Sequence, residues 1–209
     1  MDLPEALYTA AQARELDRLA IEERGIAGAT LMQRAGEAAF ELLRVRWPRA
    51  RRIAVVCGPG NNGGDGYVLA RLAHGAGLTP VAMSVGPTDK SKGDAAAARK
   101  ACESAGVAIQ NFNAGLFAGC DVVVDALLGT GLEREVSGEW LAVIEAINQC
   151  RAPVLAVDVP SGLHADTGCV MGAAVHAQAT LAFIGLKAGL FTGAGRARSG
   201  EIFFDDLGV

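Results

Sequence analysis

The fold is decided by the stretch RIAVVCGPGNNGGDG, residues 52–66. Its first part, Arg52 to Cys57, is apolar almost throughout, and such a run is typical of a strand that is buried on both faces of a parallel sheet. The glycine-rich segment that follows leads into a helical pattern. A turn of this kind points backbone N–H groups and a helix N-terminus at one place, which suits a phosphate or another anion. The stretch therefore predicts the centre of an α/β fold.

The segments on either side predict the same alternation of strand and helix. A capping-box pattern at Thr9 and Gln12 opens a helix to about Arg24, and a second one at Thr30 and Gln33 opens a helix to about Arg46. The glycine-rich loop covers 58–64, and the helix after it runs to about 76. Further strands are predicted at 80–85, 107–109, 121–126, 153–157, 180–184 and 201–204, with helices at 91–105 and 138–149. This alternation predicts a Rossmann-like, doubly wound and mainly parallel sheet, with helices on both faces and two N-terminal helices.

Composition limits the classes of protein to which the chain could belong. Its 209 residues, 51% of them hydrophobic, suit one domain spanning 1–209. The net charge of −4 contains no basic block, which argues against a nucleic-acid or membrane-surface partner. Five widely spaced cysteines without a C-x-x-C pair argue against a disulfide framework or a zinc site, so we expect a reducing cytoplasm.

Three interpretations of the glycine-rich segment compete. A P-loop needs Lys and then Ser or Thr after its last glycine, whereas Gly64 and Asp65 follow Gly63 here. A dinucleotide fingerprint, G-x-G-x-x-G, is present, but it also requires an acidic residue at the end of the second strand, and none occurs before Asp89. A plain turn would use its Gly and Asn residues for positive φ, with Asp65 as a helix cap. The polar sequence N-N-G-G-D at a strand end favours a ligand site over the plain turn.

Polar residues also follow the other predicted strands. Asp125 comes directly after Val122–Val124, Asp158 and Ser161 come after Leu155–Val157, and Lys187 follows the strand at 180–184. Each could be a helix cap, a turn former or a solvated side chain. Ligands in open α/β sheets bind at the carboxyl ends of the strands, so we expect these residues to converge with Asn62 at one edge. Asn62, Asp125 and Ser161 offer only oxygen ligands, which suit a hard cation rather than zinc.

The chain resembles the NAD(P)H-hydrate epimerase family, also called the YjeF N-terminal domain, over nearly its whole length. Four motifs carry this resemblance: LMQRAG at 31–36, GPGNNGGDG at 58–66, VDALLGTGL at 124–132 and VDVPSG at 157–162. The resemblance implies a potassium ion held by Asn62, Asp125 and Ser161. It also implies substrate contacts by two segments and one further residue: Asn61, Asn62, Gly63, Gly64, Asp65; Gly129, Thr130, Gly131, Leu132, Glu133, Arg134, Glu135; and Asp158.

The activity implied by the resemblance is exchange of the R and S epimers of NADHX and NADPHX, the hydrated forms of the nicotinamide cofactors. Asp158 is the candidate catalytic proton shuttle, and no redox cofactor is needed. The pathway partner is an ADP- or ATP-dependent hydrate dehydratase, which is often fused downstream, and a homodimer is expected. Two other functions compete with this one. An NAD(P)-dependent oxidoreductase is disfavoured because Tyr8 and Tyr67 form no Tyr-x-x-x-Lys pair, and a non-catalytic binding module is disfavoured by the complete polar site.

Overall fold

The structure is a computed structural model that describes residues 3–87 and 91–209. Asp89, the first acidic residue after the second predicted strand, lies outside the described residues. The helices are α1 (Ala10–Glu22), α2 (Gly28–Arg46), α3 (Asn61–Gly75), α4 (Gly93–Ser104), α5 (Gly138–Gln149) and α6 (Gly195–Ser199). The strands are β1 (Leu7–Tyr8), β2 (Arg52–Cys57), β3 (Thr79–Ser84), β4 (Ala108–Asn111), β5 (Val122–Ala126), β6 (Val154–Val157), β7 (Ala179–Phe183), β8 (Leu186–Lys187) and β9 (Glu201–Asp205).

Seven of these strands form one parallel sheet in the order β4-β3-β2-β5-β6-β7-β9. From β2 the chain builds outward in one direction through β3 and β4. It then returns to β5 on the other side of β2 and builds outward through β6, β7 and β9. The direction therefore reverses between β2 and β5, and their carboxyl ends flank the crevice where α/β sheets bind ligands. The predicted doubly wound, parallel fold is confirmed.

The sheet is covered on both faces because alternate residues of its strands point in opposite directions. Ile53 and Val55 of β2 pack in a cluster with residues of α2 and α3, including Leu43 and Leu69. Ala54 and Val56 pack in a second cluster with residues of α5, including Ile144. A strand with two buried faces must be apolar at successive positions, which is the pattern that predicted it.

Several predicted boundaries were wrong in detail. The Thr9–Gln12 capping box is present, but α2 begins at Gly28 without a side-chain cap, so Thr30 lies inside the helix. Backbone bonds from Thr30 and Leu31 to the Ala27 carbonyl start α2 instead. The glycine-rich segment is shorter than predicted because Asn61 already belongs to α3. Three of these elements were not predicted: β1 and β8, which pair with each other in parallel, and α6. Within the described residues, no helix is long and apolar enough to cross a membrane.

Candidate active site

A cavity of about 980 Å³ opens at the carboxyl edge of the sheet, beside the point where the strand order reverses. Its lining comes from α1, α2, the segment after β2, the segment after β5 and the residues that end β6 and β7. The volume lies near the upper end of the ~300–1,000 Å³ that is typical of small-molecule sites. It is large enough for a dinucleotide-sized ligand.

The glycines after β2 allow α3 to start very close to neighbouring backbone. A Cβ on Gly58 would lie 1.9 Å from the Leu127 carbonyl oxygen, and one on Gly63 would lie 1.9 Å from the Gly58 carbonyl oxygen. None of the glycines from Gly58 to Gly66 has a positive φ, so the plain-turn interpretation is wrong. The N-cap, Gly60, carries no side-chain cap. The first N–H groups of α3 are therefore available to an anionic ligand in the cavity.

Behind the cavity, Asp125 and Ser161 form a tight buried contact. The Ser161 hydroxyl lies 2.6 Å from Asp125 Oδ1 and donates to it, and the Ser161 backbone N–H donates to Oδ2 at 2.8 Å. The Leu127 N–H reaches Oδ1 at 3.2 Å. Both residues are fully buried. Burial raises the pKa of Asp125 to about 6, although the hydrogen bonds from Ser161 and Leu127 oppose this shift.

Asn62 joins this pair through the backbone of Leu128. Its Nδ2 donates to the Leu128 carbonyl at 3.1 Å, and the Leu128 N–H donates to Ser161 Oγ at 2.8 Å. Asn62 Oδ1 is buried and has no hydrogen-bond partner in the part of the chain that the structure describes. An orphaned buried oxygen is costly unless something binds it. The structure thus brings together the three residues that were predicted to hold a cation.

The chemistry of this oxygen cluster fits a cation of low charge. It offers one carboxylate together with neutral amide and hydroxyl oxygens, all of them hard ligands. Among the described residues, no group of three or more His, Cys, Asp or Glu side chains is placed to hold a metal ion.

The carboxylate of Asp158 is fixed by two donors. Lys187 Nζ lies 2.5 Å from Oδ1, and the Phe183 N–H reaches the same oxygen at 3.3 Å. Nζ also donates to the Phe183 carbonyl at 2.8 Å, and the Lys187 side chain is only 3% exposed. The interpretation of Lys187 as a solvated surface residue is therefore wrong. No hydrogen bond reaches Asp158 Oδ2 from the described residues, so that oxygen remains available in a residue that lines the cavity.

The backbone at this point is unusual. Asp158 has a φ of 66° and Ile184 a φ of 60°, although neither is a glycine. Left-handed backbone costs such residues roughly 1–3 kcal/mol and persists where the surroundings fix it. The Asp158 N–H is held by the Leu181 carbonyl at 2.8 Å. Strain at two neighbouring strand ends, both lining one cavity, is typical of a functional site.

Two further carboxyl groups face the Asp158–Lys187 pair. Burial raises the pKa of Asp65 well above its usual value, and the nearby charges of Asp158 and Asp17 act in the same direction, while Lys187 opposes them. Desolvation also raises the pKa of Asp17, with Lys187 opposing the shift and Asp158 adding to it. One lysine thus lies among three carboxyl groups, and the pKa values of Asp65 and Asp17 are both raised.

Most of the predicted substrate-contact residues line this cavity. They are Asn61, Asn62, Asp65, Gly129, Thr130, Gly131, Leu132, Glu133, Arg134, Glu135 and Asp158. Gly63 and Gly64 lie behind the lining, where their lack of a side chain allows close packing. The contribution of α1 was not predicted from the sequence; this helix lines the cavity with Ala13, Arg14, Asp17 and Ile21. A signal for this existed, since Asp17 interrupts an apolar stripe at i, i+4 and i+8 between Ala13 and Ile21.

Comparison with known proteins agrees with this description. Residues 28–189 match the family described as YjeF-related protein N-terminus. The chain is 50% identical over 97% of its length to a bifunctional NAD(P)H-hydrate repair enzyme of Coxiella burnetii, and 42% identical over its full length to that of Escherichia coli. It spans 41% of each of those relatives. It is 38% identical to an NAD(P)H-hydrate epimerase of Limosilactobacillus fermentum, covering 99% of this chain and 100% of the relative.

A solved yeast protein shares the fold. Its crystal structure superposes with a TM-score of 0.81, covering 88% of this chain and 82% of the yeast chain at 20% identity. The family match covers most of the chain, and the sequence relatives extend it to both ends. On this evidence the chain belongs to the family of the YjeF-related protein N-terminus.

Proposed function

We propose that this chain is an NAD(P)H-hydrate epimerase, which interconverts the R and S epimers of NADHX and NADPHX. The observation that carries this proposal is the hydrogen bonding of the Asp158 carboxylate. One carboxylate oxygen is saturated by Lys187 and Phe183, and the other has no partner among the described residues of a dinucleotide-sized cavity. An isomerase that moves protons needs such a fixed and accessible group, whereas it needs no redox centre.

The substrate chemistry explains why a carboxylate suffices. The hydrate carries its hydroxyl on C6, beside the ring nitrogen. In one route the nitrogen lone pair expels the protonated hydroxyl as water to leave an iminium, and water then adds to the other face. In the other route the C6–N bond opens to an aldehyde and recloses. Both routes need a proton to be delivered and another to be removed, and Asp158 is the proposed carrier.

The remaining lining would hold the nucleotide. The first N–H groups of α3, at Asn61 and Asn62, suit the pyrophosphate, because a helix N-terminus attracts negative charge. The segment Gly129–Glu135 lines the same cavity and carries Arg134, a second source of positive charge. Gly63 and Gly64 contribute by allowing α3 to pack closely against Gly58 and Met32 behind the lining. This arrangement would leave the nicotinamide ring toward Asp65, Asp158 and Lys187.

The cofactor that we propose is a potassium ion at Asn62, Asp125 and Ser161. The orphaned Asn62 Oδ1 and the single buried carboxylate support this assignment. Such an ion would neutralise Asp125 and fix the two segments that flank the cavity. Potassium chloride should then raise the melting temperature above that in choline chloride at equal ionic strength. Asn62→Ala should lose this difference, while Asn111→Ala, an exposed control on β4, should keep it.

The activity is tested with the purified chain and a mixture of hydrate epimers separated by chromatography. We expect epimer exchange well above the spontaneous rate. Asp158→Asn should still fold and bind NADH but should lose about 10²–10⁴-fold in rate, the usual contribution of an acid–base group. Glu145→Gln, an exposed control on α5, should retain the wild-type rate. A wild-type chain without exchange, or one that oxidises NADPH with a carbonyl panel, would refute the proposal.

The proposed setting is the cytoplasm, with a homodimer as the working assembly. An ADP- or ATP-dependent hydrate dehydratase would consume the S epimer. Bifunctional repair enzymes among the relatives support this pairing, since their length leaves room for a second activity. Light scattering of the purified chain tests the dimer. Coupling to a dehydratase tests the pathway, because the R epimer should be consumed much faster with this chain than at the spontaneous rate without it.

A further inference from the structure

We infer that Asp17, on α1, is a second acid–base group of this site and serves the face of the substrate carbon that Asp158 does not reach. The inference rests on the proposed epimerase activity and deepens it. It assigns a chemical role to a residue that lies outside the region of the family match, residues 28–189.

Three contacts hold α1 against the cavity. β1, immediately before α1, pairs with β8, and Tyr8 lies opposite Lys187 in that pairing. The Ala10 N–H donates to Asp166 Oδ1 at 2.5 Å, and Arg14 Nη1 donates to the Thr130 carbonyl at 3.4 Å. The helix is thus attached both beside Lys187 and to the proposed substrate loop. It forms a wall of the site that is separate from the strand ends.

The charges on α1 are divided between its two faces. On the outer face, Arg18 pairs with Glu15 and with Glu22, so these charges satisfy one another. On the face that lines the cavity, Asp17 lies between Ala13 and Ile21. Its carboxyl group has no hydrogen-bond or ion-pair partner within residues 3–87 and 91–209. The carboxyl group of Asp17 therefore faces the cavity without a structural partner.

The environment of Asp17 differs from that of Asp158. Asp158 forms a direct ion pair with Lys187, whereas Asp17 interacts with that lysine only through longer-range electrostatics. Partial burial raises the pKa of Asp17, with Lys187 opposing the shift and Asp158 adding to it. Two carboxyl groups in unlike environments suit the two roles of acid and base within one site. Of this pair, Asp158 is in direct contact with a cation and Asp17 is not.

Inversion by hydroxyl expulsion needs such a pair. On one face an acid gives its proton to the C6 hydroxyl, the C6–O bond breaks, and the nitrogen lone pair forms the C=N⁺ bond. On the other face water adds, its proton passes to a base, and the C=N⁺ electrons return to nitrogen. One proton is given and one is taken, so the two carboxyl groups exchange states. Asp17 is exposed in the open cavity, so proton exchange with solvent or turnover in the reverse direction restores them.

The test compares Asp17→Asn with Glu15→Gln, which removes the same charge from the outer face of the same helix. We expect Asp17→Asn to lower kcat for epimer exchange at least 10²-fold, with KM and the affinity for NADH changed less than threefold. Glu15→Gln should match the wild type. Asp17→Glu, which keeps the carboxyl group, should recover part of the lost kcat. Thermal melting of all variants serves as the folding control.

The outcomes separate the two proposals. A wild-type chain that does not exchange epimers refutes the proposed function itself. If the wild type is active and Asp17→Asn exchanges at the rate of Glu15→Gln, the role of Asp17 is refuted while the epimerase remains. A rise in KM without a fall in kcat would make Asp17 a binding residue and would also overturn the inference. If Asp65→Asn alone lost the activity, the second proton carrier would be Asp65.

Discussion

Replacing Lys187 with methionine would remove the charge that faces Asp158 while keeping an apolar stem of similar length. In the structure, Nζ makes two contacts, with Asp158 Oδ1 at 2.5 Å and with the Phe183 carbonyl at 2.8 Å. The side chains of Lys187 and Asp158 are 3% and 16% exposed. Lys187→Met would therefore leave a largely buried carboxylate without its cation.

The expected loss can be estimated from these contacts. Removing one partner of a buried ion pair costs about 3–5 kcal/mol, because the other charge stays buried and unpaired. The partial exposure of Asp158 lets water take up some of that charge, which places the loss at about 3 kcal/mol, the lower end of the range. For a chain of this size, the melting temperature should fall by roughly 6–12 °C.

The assay is urea and thermal unfolding of Lys187→Met beside Lys100→Met, an exposed control on α4. Surface substitutions of this kind change the free energy of unfolding by about 0.5 kcal/mol or less. The double variant with Asp158→Asn should lose clearly less than the sum of the single losses, because the second change removes the orphaned charge. Equal stability of the two lysine variants, or strictly additive losses, would refute the inference that this ion pair stabilises the folded chain.

Two other expectations concern the start of α3. Gly63→Ala should destabilise the chain by about 1–3 kcal/mol or more, because its Cβ would meet the Gly58 carbonyl carbon at 2.8 Å as well as the oxygen. Gly60→Ala, with nothing within 4 Å of its Cβ, is the matched control in chemical unfolding. Equal losses of stability in the two variants would contradict the packing argument. The pKa of Asp65 is raised above its usual 3.8, so over a range of pH the folded chain holds a proton on this residue that the unfolded chain releases. The stability that this proton contributes is fully present below about pH 3.8 and is lost as pH rises through the raised pKa. Asp65→Asn should therefore be more stable than the wild type at pH 7.5 and not at pH 3.5. Melting curves at the two pH values test this, and a difference in melting temperature between variant and wild type that did not change with pH would contradict the raised pKa of Asp65.

Much of this protein could be predicted from the amino-acid sequence because its central strands are buried on both faces. β2 and β5 are apolar at successive positions, and polar residues begin where each strand meets the cavity edge. Parallel strands place their carboxyl ends at one edge, so strand order along the chain was enough to bring Asn62, Asp125 and Ser161 together. The glycine-rich segment also indicated a helix N-terminus open to a ligand. These features depend on local pattern and on general rules of chain direction.

Other features were decided only by tertiary structure. The contribution of Asp17 could not be assigned, because a short amphipathic helix can be placed against a sheet in several ways and its own pattern does not select one. The pairing of β1 with β8 makes that selection here. The partner of Lys187 also depended on the fold, since the left-handed backbone at Asp158 turns that residue toward β8. The sequence determined which groups reach the edge of the sheet, whereas packing between distant segments decided which of them share a proton, a charge or a ligand.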